Sequence, residues 1–143
     1  MRLDVPLIRQ EKNMSCWHAS ARMLYAYRKN SSINPLPPAF QANTGLSPAA
    51  FVDLAKNIGL EMIPAVNTSI DWTFLEDILK KFGPIWAAGY WYELPHVVVI
   101  TGVDPDGTLY VNDPGWPIPR VHNMLWFNEK VSKEILNPMM YLP

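Results

Sequence analysis

Cys16 is the single thiol among 143 residues, and the sequence places it where a helix is set to begin. A cysteine in the first turn of a helix meets the positive end of the macrodipole and free backbone N–H groups, which favour thiolate over thiol. The same residue type also serves as a small buried hydrophobe, so position alone leaves two readings. Its possible partners narrow them. His96 opens a run of mostly β-branched residues, His96-Val97-Val98-Val99-Ile100-Thr101-Gly102-Val103, so its imidazole belongs at a strand end that a rigid sheet can aim. If the Asp104–Gly107 turn pairs Val103 with Thr108, residue 115 faces His96, and Asp113 lies two positions from that point. An acid there holds the orientation and tautomer of the imidazole while the other nitrogen faces a thiol. The plainer use of Asp113 is an Asx turn in Asn112-Asp113-Pro114-Gly115. Gln10, six positions before Cys16, is either a loop glutamine or an amide donor that completes an oxyanion hole with the Cys16 N–H. Together these residue types suit nucleophilic acyl transfer through a thioester.

The remaining candidates are weaker. His18 follows Cys16 by two positions, about 200° round a helix, and so points away from it. His122 follows a proline-rich loop and belongs to no motif. Cys16, His18, His96 and His122 lack the spacing of a zinc site, and no metal or other cofactor is expected. Trp91 and Trp116 lie close in sequence to His96 and Asp113 and are candidate substrate-binding walls, against the commoner use of tryptophan in core packing.

The elements that must position these groups are legible from caps and periodicity. A first helix is predicted from Cys16 to about Lys29, with Ser15 as N-cap and apolar residues on two sides: Trp17, Ala21 and Leu24, and Ala19, Met23 and Ala26. Ser47 and Pro48 start a second helix carrying Phe51, Leu54, Ala55 and Ile58, and Gly59 stops it. Leu60–Val66 reads as a short strand. A third helix spans roughly Asp71–Phe82 and ends at Gly83-Pro84. Ile85–Tyr92, His96–Val103 and Thr108–Asn112 then read as consecutive antiparallel strands, with turns at Glu93-Leu94-Pro95 and Asp104–Gly107 and a last short strand near Met139–Leu142. Helices first and sheet second means α+β.

Composition excludes several classes. With 49% hydrophobic and 17% charged residues the chain has ample material for a core, and its length suits one domain, residues 1–143. Twelve Lys+Arg against thirteen Asp+Glu give a net charge of −1, which makes no electrostatic case for nucleic acid or an anionic membrane. The longest apolar run, Ile85–Tyr92, is too short to span a bilayer. The N-terminal MRLDVPLIRQ has no apolar core of a signal peptide. The fourteen prolines cluster at 35–38 and 114–119, in stretches that read as ordered loops.

Gln10-x5-Cys16-Trp17, Leu94-Pro95-His96 with its following strand, and Val111-Asn112-Asp113-Pro114-Gly115 together resemble small bacterial papain-like cysteine peptidases, the groups that include bacteriocin-leader-processing peptidases and secreted effector proteases. Of papain's Cys-Gly-Ser-Cys-Trp signature only Ser15-Cys16-Trp17 is kept, and His96 follows Cys16 by 80 residues, the shorter interval of the compact groups. The resemblance implies a papain-like fold: a helical half (about 1–83) carrying the nucleophile on a central helix, packed against a sheet half (about 84–143). It implies Cys16 as nucleophile, His96 as base and then acid, Asp113 (with Asn112 as the ambiguity) as orienting group, and Gln10 as oxyanion donor. It also implies a protein substrate, a cognate immunity protein in the producer, and a toxin or effector role in bacterial competition. Such a protein is cytoplasmic in its producer, exported by a specialised system and active in the target-cell cytoplasm. The motif begins within ten residues of the start, as in a module cut from a larger toxin. The alternatives are leader-peptide processing, an amidase, deamidase or transglutaminase-like acyl transfer with the same residues, and an inactive binding module.

Overall fold

The computed structural model describes residues 1–28, 47–64, 70–133 and 138–143; the proline cluster at 35–38, Lys29 and the end of the predicted Leu60–Val66 strand lie outside them. The order of elements is α1 (Cys16–Arg28), α2 (Pro48–Asn57), β1 (Glu61–Met62), α3 (Trp72–Phe82), β2 (Ile85–Gly89), β3 (His96–Val103), β4 (Thr108–Asn112), β5 (Arg120–Asn123), α4 (Met124–Lys130) and β6 (Met139–Tyr141).

The predicted helix limits follow from their caps. Ser47 accepts from the Ala50 N–H, and Pro48 takes the first helical position where no intrahelical donor is needed. At the other end Gly59 has φ of 101°, and the Gly59 and Leu60 N–H groups return to the Lys56 and Ala55 carbonyls. That is a Schellman closure, which requires the left-handed conformation glycine adopts without cost. Asp71 caps α3 by accepting from Phe74, and Gly83 ends it. Ser15 differs in part from expectation. Its carbonyl accepts the first N–H groups of α1, while its hydroxyl accepts from the Lys12 N–H and donates to the Lys12 carbonyl, bracing the loop before the helix.

All six strands form one antiparallel sheet, ordered β1-β6-β2-β3-β4-β5. The apolar residues of β2 and β3 alternate between two cores. Trp86, Ala88, Val97 and Val99 pack with α1 and α2 residues such as Trp17, Leu24 and Phe51. Ile85, Ala87, Val98 and Ile100 pack with Leu75 and Leu79 of α3 and Phe127 of α4. A strand covered on both faces reads as an unbroken apolar run, which explains the sequence of β3. The fold is α+β as expected: α1 and α2 cover one face of the sheet, α3 and α4 cover the other, and β1 from the N-terminal part joins β6 at the edge.

Two details of register position the site. At the Asp104–Gly107 turn Val103 pairs with Leu109, one residue away from the predicted Thr108. An irregularity at Thr101 then restores the predicted register, with Ile100 opposite Val111 and Val99 opposite Asn112. The predicted strand Ile85–Tyr92 stops at Gly89, because the Tyr90 N–H leaves the ladder for the Lys130 carbonyl. Gly89 pairs directly with His96, and an added Cβ there would stand 2.5 Å from the Lys130 carbonyl oxygen. Gly89→Ala is therefore expected to destabilise the fold by about 2 kcal/mol through overpacking against backbone, read by chemical denaturation.

Candidate active site

Each candidate group comes from a different rigid element. Cys16 begins α1 and is 3% exposed, His96 begins β3, and Asp113 is the first residue beyond β4. A cavity of about 610 Å³ is lined by all three and by Gln10.

His96 Nε2 lies 2.7 Å from Asp113 Oδ1, and the same oxygen accepts from the Gly115 N–H at 2.8 Å. Asp113 thus makes the expected Asx turn, and that turn sets its carboxylate against the ring. The Asn112 side chain is engaged elsewhere: its amide donates to the Val5 carbonyl, 3.0 Å away. With Nε2 on the carboxylate, Nδ1 is the ring nitrogen left for Cys16, whose side chain is among the groups that raise the ring. Burial lowers the His96 pKa, but hydrogen bonds to Asp113 and Cys16 and the negative charge each can carry outweigh it, raising the ring to about 9. Burial raises Asp113, and its bonds and attraction to His96 together with the Gly115 N–H leave it below the usual carboxylate range. The raised ring and the lowered carboxylate make an imidazolium–carboxylate pair in the cavity that Cys16 also lines.

Gln10 reaches the cavity in a different state from that expected. Its backbone N–H donates to the Pro114 carbonyl, which ties this loop to the Asp113 turn. Its side-chain Nε2 donates to the carbonyls of Lys12 and Asn13, at 2.9 and 2.8 Å. Both amide protons thus brace the loop before Cys16, and neither is free for an oxyanion in this arrangement. The Cys16 N–H, at the first position of α1, has no intrahelical acceptor.

Of the two tryptophans, Trp116 lines the cavity at 45% exposure and Trp91 does not. Trp91 is 1% exposed, donates to the Ala87 carbonyl and stacks on Trp126 with ring centroids 4.8 Å apart. It is a core residue, because the chain leaves β2 at Gly89 and turns that side chain into the α3–α4 side of the sheet. His18 is buried beside Trp17, away from the cavity as expected, and burial with the nearby Arg22 charge lowers its pKa to about 4.

Sequence reasoning missed Tyr92 and the apolar walls Met14, Phe51 and Leu94. The Tyr92 hydroxyl lies 3.5 Å from His122 Nε2, and the His122 ring stacks on Trp126 at 3.6 Å. Burial and the Asp113 charge push Tyr92 up to about 12, so its hydroxyl stays protonated. No local signal separates Tyr92 from Trp91, which are neighbours in the turn between β2 and β3, where Glu93 is left-handed (φ 68°).

A cysteine at a helix N-terminus facing an imidazole that begins a strand of an antiparallel sheet is the arrangement of a papain-like thiol hydrolase. The family model described as papain-like cysteine protease AvrRpt2 (Peptidase_C70) matches residues 1–132, and the chain belongs to this family. It is a papain-like cysteine protease. Fourteen chains of known structure match it. One, a double glycine motif protease from an AMS/PCAT transporter in complex with the leader peptide, aligns over 99% of this chain and 91% of its own with TM-score 0.57 and 23% identity. That likeness shows the fold. No curated protein matches the chain.

Proposed function

We propose that the chain is an endopeptidase acting on a protein substrate through Cys16, His96 and Asp113. The observation that carries this reading is the 2.7 Å contact of His96 with Asp113 in the cavity that also holds Cys16. The Cys16 sulfur adds to the scissile carbonyl, and its proton resides on His96. His96 then protonates the departing amine as the carbon–nitrogen bond breaks, leaving a thioester. Water attacks the thioester, giving a proton to His96; the carbon–sulfur bond breaks, releasing the acid product and the Cys16 thiolate beside the protonated ring. Asp113 holds the ring and the charge it carries through both steps. The Cys16 N–H donates to the tetrahedral oxyanion; Gln10 joins it once one of its amide protons leaves the Lys12 or Asn13 carbonyl.

Within this reading we assign the protein to the effector or toxin type, acting in the cytoplasm of a target cell and held in check by an immunity protein in its producer. The support is the resemblance of its motifs to secreted effector proteases. Leader-peptide processing is the second reading, favoured by the structural neighbour bound to a leader peptide. The test is mass spectrometry of a proteome treated with the protein beside a mixture of double-glycine leader peptides. New N-termini in proteome proteins are the expected result. Cleavage confined to the position after the glycine pair would transfer the assignment to leader processing. A shift of about 1 Da at glutamine without cleavage would make the activity a deamidation by the same thioester chemistry.

A further inference from the structure

Arg120 opens β5, and its side chain lies over two aromatic walls of the cleft. Its Cζ is 4.0 Å from the ring centroid of Trp116 and 5.7 Å from that of Tyr92. Among the described residues the guanidinium makes no hydrogen bond and no ion pair, and one of its terminal nitrogens, Nη1, is buried without an acceptor. Arginine stays charged in such a place, and a buried donor left unpaired is costly, so the site favours an acceptor that the free protein does not supply. The Trp116 and Tyr92 rings lie against the planar group and limit its motion. Arg120 as a whole is only partly buried, and the N–H fork of a guanidinium matches a carboxylate. The charged side chains lining the cavity itself are His96 and Asp113, which neutralise each other, and its other walls include Met14, Phe51, Leu94 and Pro95.

We propose that Arg120 is a specificity residue of the cleft, whose guanidinium takes an acidic side chain of the protein substrate beside the apolar segment that fills the cavity. This rests on the protease reading above. The substrate class is then an apolar stretch with an Asp or Glu at one set distance from the scissile bond.

The experiment is digestion of a proteome-derived peptide library by the full chain, with cleavage sites read by mass spectrometry. The wild-type protein is expected to enrich Asp and Glu about fivefold at one fixed position, and raising the ionic strength should erode that enrichment. In Arg120→Gln the ratio of acidic to neutral sites should fall toward unity, and Arg120→Glu should turn the preference toward Lys and Arg at that position. Cleavage by the wild type without acidic enrichment would overturn the inference and leave the protease reading standing, as would an enrichment that persists in Arg120→Gln. A library left intact by the wild type would overturn both. The wild-type library by itself can overturn the inference even if neither variant folds, through an absence of acidic enrichment.

Discussion

Replacing Cys16 with alanine is expected to yield a folded protein whose turnover falls by about 10⁴-fold or more. The loss follows from the absence of any other thiol in the chain, so no neighbouring sulfur can form the thioester. The fold should survive because alanine suits a helix better than cysteine does, and because only one heavy atom leaves the buried position. The cost in stability is about 1 kcal/mol. Thermal unfolding and a peptide-cleavage assay on the same preparation separate the two effects. Turnover that persists in this variant would remove the covalent mechanism; a melted variant would show instead that Cys16 is chiefly a packing residue.

His96 and Asp113 should differ in both rank and pH behaviour. His96→Ala removes the proton carrier of both steps and is expected to lower kcat by about 10³-fold. Asp113→Asn keeps an oxygen that can accept from Nε2 and from the Gly115 N–H, so it removes the charge and spares the geometry. It should cost about tenfold, less than His96→Ala. Because His96 titrates at about 9, the wild-type rate is expected to fall on the alkaline side near that pH, as the ring loses the proton that the departing amine needs. Without the Asp113 charge the ring should deprotonate earlier, moving that limb toward the ordinary histidine range. The linkage sign agrees. A histidine raised in the folded state contributes stability in full below its unfolded value of 6.5, and that contribution disappears as pH rises through about 9. A pH–rate profile of both variants checks the ranking. An alkaline limb unmoved in Asp113→Asn would show that another group sustains the imidazolium.

These expectations combine information from two levels. Residue order by itself determined the helix limits at Ser47, Gly59, Asp71 and Gly83, the extent of β3, and the pairing of a strand-opening histidine with an acid beyond β4. Those features depend on capping groups, on left-handed glycines and on β-branched runs, whose physics acts over a few residues. The shift at the Asp104–Gly107 turn and the compensating irregularity at Thr101 also left the site register as expected, since the two offsets cancel.

Tertiary structure decided the rest. It chose Asp113 over Asn112, because adjacent strand residues point to opposite faces and only long-range pairing says which face holds the histidine. It placed Trp116 at the cleft and Trp91 in the core, turned the Gln10 amide onto the Lys12 and Asn13 carbonyls, and brought Tyr92 and Arg120 to the cavity's edge. Neither β5 nor α4 had been expected, although the Asn123 cap joining them accepts from Trp126 in an ordinary local way. A side chain's direction is set by which element stops where and what packs above it. Those are contacts between residues distant in the chain, and local propensity carries no record of them.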